Sequence, residues 1–407
     1  MKKVLFTVAL LFTAFTVSAQ KAVVKEAKSS KSNPAKAAEI IKPALENAET
    51  MNDPETWKLA GDFQKAIYDD ENVKMYVPGG GQVNKPVLYA SLSKMFDYYI
   101  KCTELEAQKV LSGELKKPKM TGKIVKTLTS VRPNLANAGI EAFNEGKHGD
   151  ALKYFGTYID VVALPIFAEE ESVQQDTLTS LLANYAVLAA NTLQNAEAIE
   201  RYAAVGKSHK EEGYRSLMCL AELYNKNGIA PDSVKWLAAI EEGMLNFPAQ
   251  EYFTGNMMDY YIQQGRVDEA LASIDKIVSN NPTPYFMYVK GVLLYEKKDF
   301  DSAISILNDV IAKNENLVAE SYSKIGDCFF FPAQEIIEAN SELAMDDPKY
   351  TEGETKVKVL YEKAAPYYEK AKELAPDNKQ LWGQYLMNIY WKLNKSEYEA
   401  LEKELGY

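Results

Sequence analysis

The chain has 407 residues, with 46 Lys and Arg against 57 Asp and Glu, and therefore a formal net charge of −11 at pH 7. This acidic composition lacks the concentrated basic surface that nucleic-acid binding requires, so we expect no nucleic-acid partner. The two histidines and three widely spaced cysteines form no pattern typical of a catalytic or metal site, so we expect neither enzymatic activity nor a cofactor.

The first 19 residues have the features of a secretory signal peptide. Lys2 and Lys3 precede an apolar run over residues 4–17, and Ala19 completes a small-x-small cleavage site. A transmembrane anchor is the alternative, but the apolar run is too short to span a bilayer comfortably. No Cys follows the cleavage site, so a lipid anchor is not expected. We therefore expect an exported protein of the periplasm or the outer membrane surface, with no membrane span after signal removal.

The next segments are predicted to be a tether, a first helical region and a linker. Residues 20–33 are rich in Lys, Ala and Ser, which favours a flexible tether. Residues 34–111 read as N-terminal helical hairpins, interrupted by the glycines 79–81. These glycines lack the Gly-Lys-Ser/Thr sequence of a phosphate-binding loop, so a plain loop is expected. Residues 112–125 are polar and locally basic, and they are predicted to be a linker.

Two successive stretches of the remaining chain, 126–407, repeat one another. M-M-D-Y-Y-I-Q-Q-G-R-V-D-E-A-L-A-S-I begins at Met257, and K-G-V-L-L-Y-E-K-K-D-F-D-S-A-I-S-I-L begins at Lys290. In each, an apolar-periodic helix leads through a polar turn to a second helix with a small residue, so that a pair of helices packs closely. Such a hairpin leaves one apolar side exposed, and only the next copy can bury it.

The repeated pattern resembles the tetratricopeptide repeat (TPR) superfamily, as found in exported bacterial TPR proteins. The stretch from Leu135 to Tyr158 fits the same pattern, with Gly139 on its first helix and Phe155 on its second. The resemblance implies an all-α fold, an α-solenoid of tandem helix-turn-helix hairpins. Residues 126–407 would form this array, and the acidic segment 332–357 would be an insertion that extends helices, since it has no calcium-loop spacing.

The three cysteines are an odd number and lie far apart, at positions 102, 219 and 328. They cannot all pair, and each falls within a predicted helix. We expect them to be free, buried thiols.

The resemblance also implies where a partner would bind. In TPR arrays the first helices line the concave face, and the residue two positions before the small first-helix residue often points into it. An amide there carries both a donor and an acceptor for the backbone of an extended peptide, and aromatic rings can anchor side chains. The predicted peptide-binding residues are Asn137, Asn184, Asn256, Lys324, Tyr288 and Tyr295. The alternatives are that the asparagines are surface amides and that the tyrosines are packing residues.

These observations together predict a protein-protein interaction scaffold of the bacterial cell envelope, which binds a peptide or a protein segment on the concave face. The partner is an unidentified envelope protein or peptide. The alternative is a glycan-binding module, because groove aromatics can also stack on sugar rings.

Overall fold

The computed structural model describes residues 21–77, 81–225, 227, 228, 231–280, 282–313 and 316–406. The predicted signal peptide lies outside the described residues, as do the first two of the three glycines at 79–81. Throughout the described ranges the regular structure is helical and contains no strand, which confirms the all-α prediction.

The helices follow one another with short connections. In chain order they are α1 (residues 21–29), α2 (Pro34–Glu46), α3 (Pro54–Lys74), α4 (Lys85–Leu111), α5 (Thr121–Val131), α6 (Pro133–Asn144), α7 (His148–Asp160), α8 (Glu171–Gln174), α9 (Leu178–Thr192), α10 (Ala196–Gly206), α11 (Gly213–Tyr224), α12 (Ser233–Asn246), α13 (Glu251–Gln263), α14 (Val267–Asn280), α15 (Pro284–Glu296), α16 (Phe300–Lys313), α17 (Val318–Asn340), α18 (Pro348–Leu374), α19 (Gly383–Lys392) and α20 (Tyr398–Leu405).

The chain divides into two compact units, Met1–Ala239 (unit 1) and Ile240–Tyr407 (unit 2). In unit 1 the packed hairpins are α3 with α4, α6 with α7 and α9 with α10. In unit 2 they are α13 with α14, α15 with α16, α17 with α18 and α19 with α20. Within each unit, neighbouring hairpins also contact one another, so each apolar flank is buried by the next copy, as the tandem-hairpin prediction requires.

Glycines on the first helices allow the two helices of a hairpin to approach closely. A Cβ atom on Gly291 would lie 2.7 Å from the Leu307 side chain, and one on Gly326 would lie 2.8 Å from the ring of Tyr368. A Cβ on Gly139 would overlap the ring of Phe155, which is fully buried. Because real Cβ atoms do not approach so closely, these positions exclude any larger residue without rearrangement.

The structure differs from the predicted tether at residues 20–33. Residues 21–29 form α1, and Ala27 is fully buried in a cluster with Ala37, Ile41 and Phe63. The Lys-rich composition concealed this packing because the lysines point away from a narrow face of small apolar residues, which is buried only once α2 and α3 lie against it.

The segment predicted to be a linker, 112–125, contains the start of α5. Its residues 119–121 are attached to α4 by the buried carboxylate of Glu106. The segment therefore joins α4 to α5, and backbone hydrogen bonds to Glu106 hold it in place. Its polar residues form the turn between the two helices and the N-terminus of α5.

Residues 332–357 continue both helices of one hairpin. α17 runs on to Asn340, and α18 begins at Pro348. At the tip the amide of Asn340 donates to the carbonyl of Tyr350 at 3.2 Å, and Gly353 provides the space that Asn340 occupies. The helices of this extension are thus fastened together at their far end.

Candidate functional site

The six predicted binding residues are divided between the two units. Unit 1 holds Asn137 on α6 and Asn184 on α9. Unit 2 holds Asn256 on α13, and it brings the remaining three together, two tyrosines of α15 and one lysine of α17.

The prediction that Asn184 faces a groove is wrong. This residue is only 2 % exposed, and its amide donates to the carbonyls of Ser180 at 3.0 Å and Gly206 at 2.9 Å. Its carbonyl oxygen accepts from the hydroxyl of Ser216 at 2.5 Å. Asn184 thus joins α9 to the end of α10 and to α11. The amide is a structural bond between helices because a buried polar group must find partners.

The amide nitrogen of Asn256 is engaged within its own helix. It donates to the carbonyl of Tyr252 at 2.7 Å, one turn earlier on α13, and the side chain is half-buried. Its donor capacity is therefore partly used before any partner arrives.

Asn137 lies on a groove between α6 and α9, the first helices of adjacent hairpins. We call it the unit 1 groove, and its volume is about 450 Å³. Its lining comprises Pro133, Ala136, Asn137, Ile140, Phe143, Asn144, Tyr158, Leu178, Leu181, Leu182 and Tyr185. None of these described lining residues carries a charge, and Ile140 and Leu178 are 43 % and 49 % exposed. The surface is therefore open and mainly apolar, which is typical of a binding groove.

The two amides of the unit 1 groove are free for a ligand. Asn137 and Asn144 are both exposed, and neither makes a side-chain hydrogen bond to another described residue. They are seven residues apart, so they lie on nearly the same face of α6, roughly 10 Å apart along the helix axis. Each offers one acceptor and two donors.

The wall of the groove at Tyr158 is fixed by a buried arginine. The guanidinium of Arg132 lies 3.6 Å from the centre of the Tyr158 ring, donates to the Tyr158 carbonyl at 3.1 Å and pairs with Asp176 at 2.8 Å. Burial alone would raise the pKa of Asp176, but hydrogen bonds from Tyr158 and Arg132 more than offset it and hold the pKa below its ordinary value. The charges of Arg132 and Asp176 neutralise one another, and their contacts hold Tyr158 in position at this wall.

Unit 2 gathers the other three predicted residues around the ammonium of Lys324. The Lys324 Nζ lies 4.6 Å from the centre of the Tyr295 ring and 2.7 Å from a carboxylate oxygen of Asp327. Tyr288 is close enough that the charge of Lys324 affects its phenol. Burial alone would lower the pKa of Lys324, but the charge and hydrogen bond of Asp327 more than offset it, so the pKa lies above its ordinary value. Lys324 is therefore a fixed cation.

Two residues of this cluster were not found from the sequence. Asp327 is nearly fully buried, and it accepts from the Tyr368 hydroxyl at 2.6 Å as well as from Lys324. Tyr385, on α19, stacks on Tyr368 with ring centres 4.8 Å apart. The spacing of Lys324 and Asp327, one helical turn apart, is a signal that could have identified the ion pair.

The repeat that organises unit 2 matches a known family. Residues 257–316 match the family model described as tetratricopeptide repeat. Residues 257–316 therefore carry tetratricopeptide repeats. Repeats of this superfamily are generally protein-protein interaction scaffolds and are typically non-enzymatic. No curated protein matches this chain.

Solved structures of other proteins are also similar to this chain. The P58(IPK) TPR domain is 12 % identical over 93 % of this chain and 99 % of its own, with a TM-score of 0.28. Yeast Tom70 is 13 % identical over 95 % of this chain and 91 % of its own, with a TM-score of 0.27. Human IFIT1, as a dimer with m7Gppp-AAAA, is 14 % identical over 86 % of this chain and 75 % of its own, with a TM-score of 0.35.

The described residues contain no group of three or more His, Cys, Asp or Glu side chains placed to hold a metal ion. In the same part of the chain, every helix is too short or too polar to cross a membrane.

Proposed function

We propose that this TPR protein is a non-enzymatic scaffold that binds an extended segment of a partner protein in the unit 1 groove. The observation that carries the proposal is the open, uncharged groove between α6 and α9, with the free amide of Asn137 on its wall. A TPR fold favours a protein partner in general, and this groove gives a position and a chemistry for one.

The groove offers two kinds of contact to a peptide. Apolar partner side chains can be buried against Ile140, Leu178 and the rings beside them, and each fully buried aliphatic side chain contributes about 1.5–3 kcal/mol. Asn137 and Asn144 can pair with the peptide backbone, since their separation of roughly 10 Å matches three residues of an extended strand. Because the described lining is uncharged, we expect binding that depends weakly on salt.

We also propose that the protein is exported and acts in the cell envelope, at the periplasm or the outer membrane surface. The support is the sequence of residues 1–19, with its basic start, apolar run and small-x-small end. Mass spectrometry of the protein from its native cells tests this proposal: a first residue of Gln20 supports it, and retention of Met1 contradicts it.

Site-specific photo-crosslinking tests the binding proposal. A benzoylphenylalanine residue replaces Ile140 in the groove or, as a control, the exposed Lys153 on α7. We expect position 140, and not position 153, to capture a discrete partner in an envelope fraction. Adding Asn137→Ala and Asn144→Ala should weaken that capture. Equal labelling from both positions, or labelling unchanged by the two asparagine substitutions, would contradict the proposal.

A further inference from the structure

The aromatic cluster of unit 2 presents several polar atoms that have no partner. Tyr288, Tyr295 and Tyr385 are half-buried, and none of their hydroxyls forms a hydrogen bond with another described residue. Burial is the main cause that raises the pKa of all three phenols, so each is a protonated donor as well as an acceptor. The three tyrosines belong to α15 and α19, and Lys324 belongs to α17. The charge of Lys324 affects the phenols of Tyr288 and Tyr385, and its Nζ lies 4.6 Å from the centre of the Tyr295 ring.

The ammonium at the centre of this cluster retains hydrogen-bonding capacity. Of its three donors, one is directed to Asp327, and the ring of Tyr295 lies beneath the charge. The Lys324 side chain is still 22 % exposed, against 7 % for Asp327. Lys324 can therefore donate to a ligand without leaving Asp327, whose buried charge requires the pair to remain intact.

The charges of the cluster cancel, which limits the class of ligand. Lys324 and Asp327 neutralise one another. Burial is the largest cause that raises the pKa of Tyr295, and the negative charges of Asp327 and Glu296 are the next largest. The charges nearest to this ring are therefore mainly negative. Such a site gives an anionic ligand no net attraction.

We propose that Tyr288, Tyr295, Tyr385 and Lys324 form a binding site for a neutral oligosaccharide. A sugar ring has apolar faces that pack on aromatic rings, and its hydroxyls both donate and accept, as the phenols and the ammonium require. Phe331, which lies 6.2 Å from Tyr295 and 6.3 Å from Tyr385 between ring centres, is 39 % exposed and adds apolar surface to the same site. This activity goes beyond the proposed peptide binding, because it uses other residues in the other unit.

The test removes the three hydroxyls and keeps the rings. The full chain carries Tyr288→Phe, Tyr295→Phe and Tyr385→Phe together. The control carries Tyr322→Phe and Tyr367→Phe, two half-buried tyrosines of the α17/α18 hairpin whose rings pack on one another. Cellohexaose, maltohexaose and chitohexaose are the neutral probes, and sialyllactose is the acidic one. Affinity is measured by calorimetry, and folding is checked by thermal unfolding.

We expect at least one neutral hexasaccharide to bind the wild-type chain, and the triple variant to bind it more weakly by a factor of roughly 10 to 2,000, since each of the three lost hydrogen bonds contributes ~0.5–1.5 kcal/mol. The control should match the wild type, and neither variant should lose its folding transition. The proposal is overturned if no neutral probe binds, if only sialyllactose binds, or if the triple variant binds as well as the wild type. If the photo-crosslinker at position 140 captures no partner but a neutral hexasaccharide still binds, the peptide proposal alone is overturned.

Discussion

The carboxylate of Glu106 on α4 caps the helix that begins at Thr121. It accepts the Thr121 backbone N–H at 2.9 Å and its hydroxyl at 2.7 Å, and it also accepts the backbone N–H groups of Lys119 and Met120. The N-cap residue of α5 makes no side-chain hydrogen bond of its own. Glu106, which lies 15 residues before Thr121 on the preceding helix, supplies the acceptor instead. This contact holds the segment after α4 in place.

Replacement of Glu106 by Ala should therefore loosen the start of α5. Three partly buried N–H groups and the Thr121 hydroxyl lose their acceptor, and we expect a loss of roughly 3 kcal/mol in the free energy of unfolding of unit 1. Hydrogen-deuterium exchange of residues 119–121 provides the local measurement, and it should rise strongly in the variant. Glu104→Ala, an exposed neighbour on α4, is the control. Unchanged exchange at 119–121 in the Glu106 variant would contradict this account.

The same contact predicts a dependence on pH. Burial alone would raise the pKa of Glu106, but the hydrogen bonds from Lys119 and Thr121 more than offset it, so its pKa in the folded protein lies below the ordinary value of 4.5. A depressed carboxyl pKa stabilises the fold above the unfolded pKa, and this stabilisation is lost as the pH falls through the folded pKa. The stability difference between wild type and Glu106→Gln should thus be full at pH 7 and should shrink below about pH 4.5. A difference that grows on acidification would be incompatible with this mechanism.

Asn184 and Asn137 should respond in opposite ways to the same substitution. Asn184→Ala leaves the Gly206 carbonyl and the Ser216 hydroxyl without their partner, and we expect a loss of about 2 kcal/mol, because unsatisfied buried polar groups are costly. Asn137→Ala removes an exposed amide and should change stability by less than about 0.5 kcal/mol. Chemical denaturation followed by circular dichroism measures both. Equal effects would show that Asn184 is not a structural residue.

Gly139 and Gly149 provide a matched pair for testing hairpin packing. An Ala at 139 would place its methyl group against the buried Phe155 ring, and we expect a loss of roughly 1–3 kcal/mol from overpacking. An Ala at 149, on α7, meets no atom within 4 Å, and it should be neutral or stabilise the helix by about 0.5–1 kcal/mol. Thermal unfolding of the two variants distinguishes these outcomes. A tolerated Gly139→Ala would mean that the hairpin can separate at little cost.

The three cysteines are free and buried, as the sequence predicts. Burial is the main cause that raises the pKa of Cys102, Cys219 and Cys328 to about 12 each, so the reactive thiolate is scarce at neutral pH. We expect no reaction with a thiol reagent such as dithiobis(nitrobenzoate) within minutes in the native state, and three equivalents after denaturation. Rapid reaction of any thiol in the folded protein would contradict this burial.

The hairpins could be predicted from the sequence because they depend on local patterns. The second-helix alanines Ala270 and Ala303 lie 33 residues apart, and both are fully buried, as close packing of the helices requires. The burial of Asn184 could not be predicted in this way. It depends on Gly206 and Ser216, which lie 22 and 32 residues further along the chain. Whether an amide faces a groove or a neighbouring helix is decided by such distant partners.

The sequence predicted only part of the unit 2 cluster. Tyr288, Tyr295 and Lys324 lie on consecutive first helices, so the repeat period places them near one another. Tyr385 lies on α19, after the long α17/α18 hairpin, and its stacking on Tyr368 has no signal in a periodic pattern.

The fastening of Asn340 to Tyr350 at the tip of the α17/α18 hairpin also bears on how the chain can be modified. The turn between those helices projects Met345, which is 83 % exposed, while both helices are joined below it by a side chain and a glycine. New chain ends, or a fluorescent domain, placed between Ala344 and Met345 would leave every core contact of unit 2 in position. This turn is therefore a suitable place to attach a reporter that follows the protein in living cells.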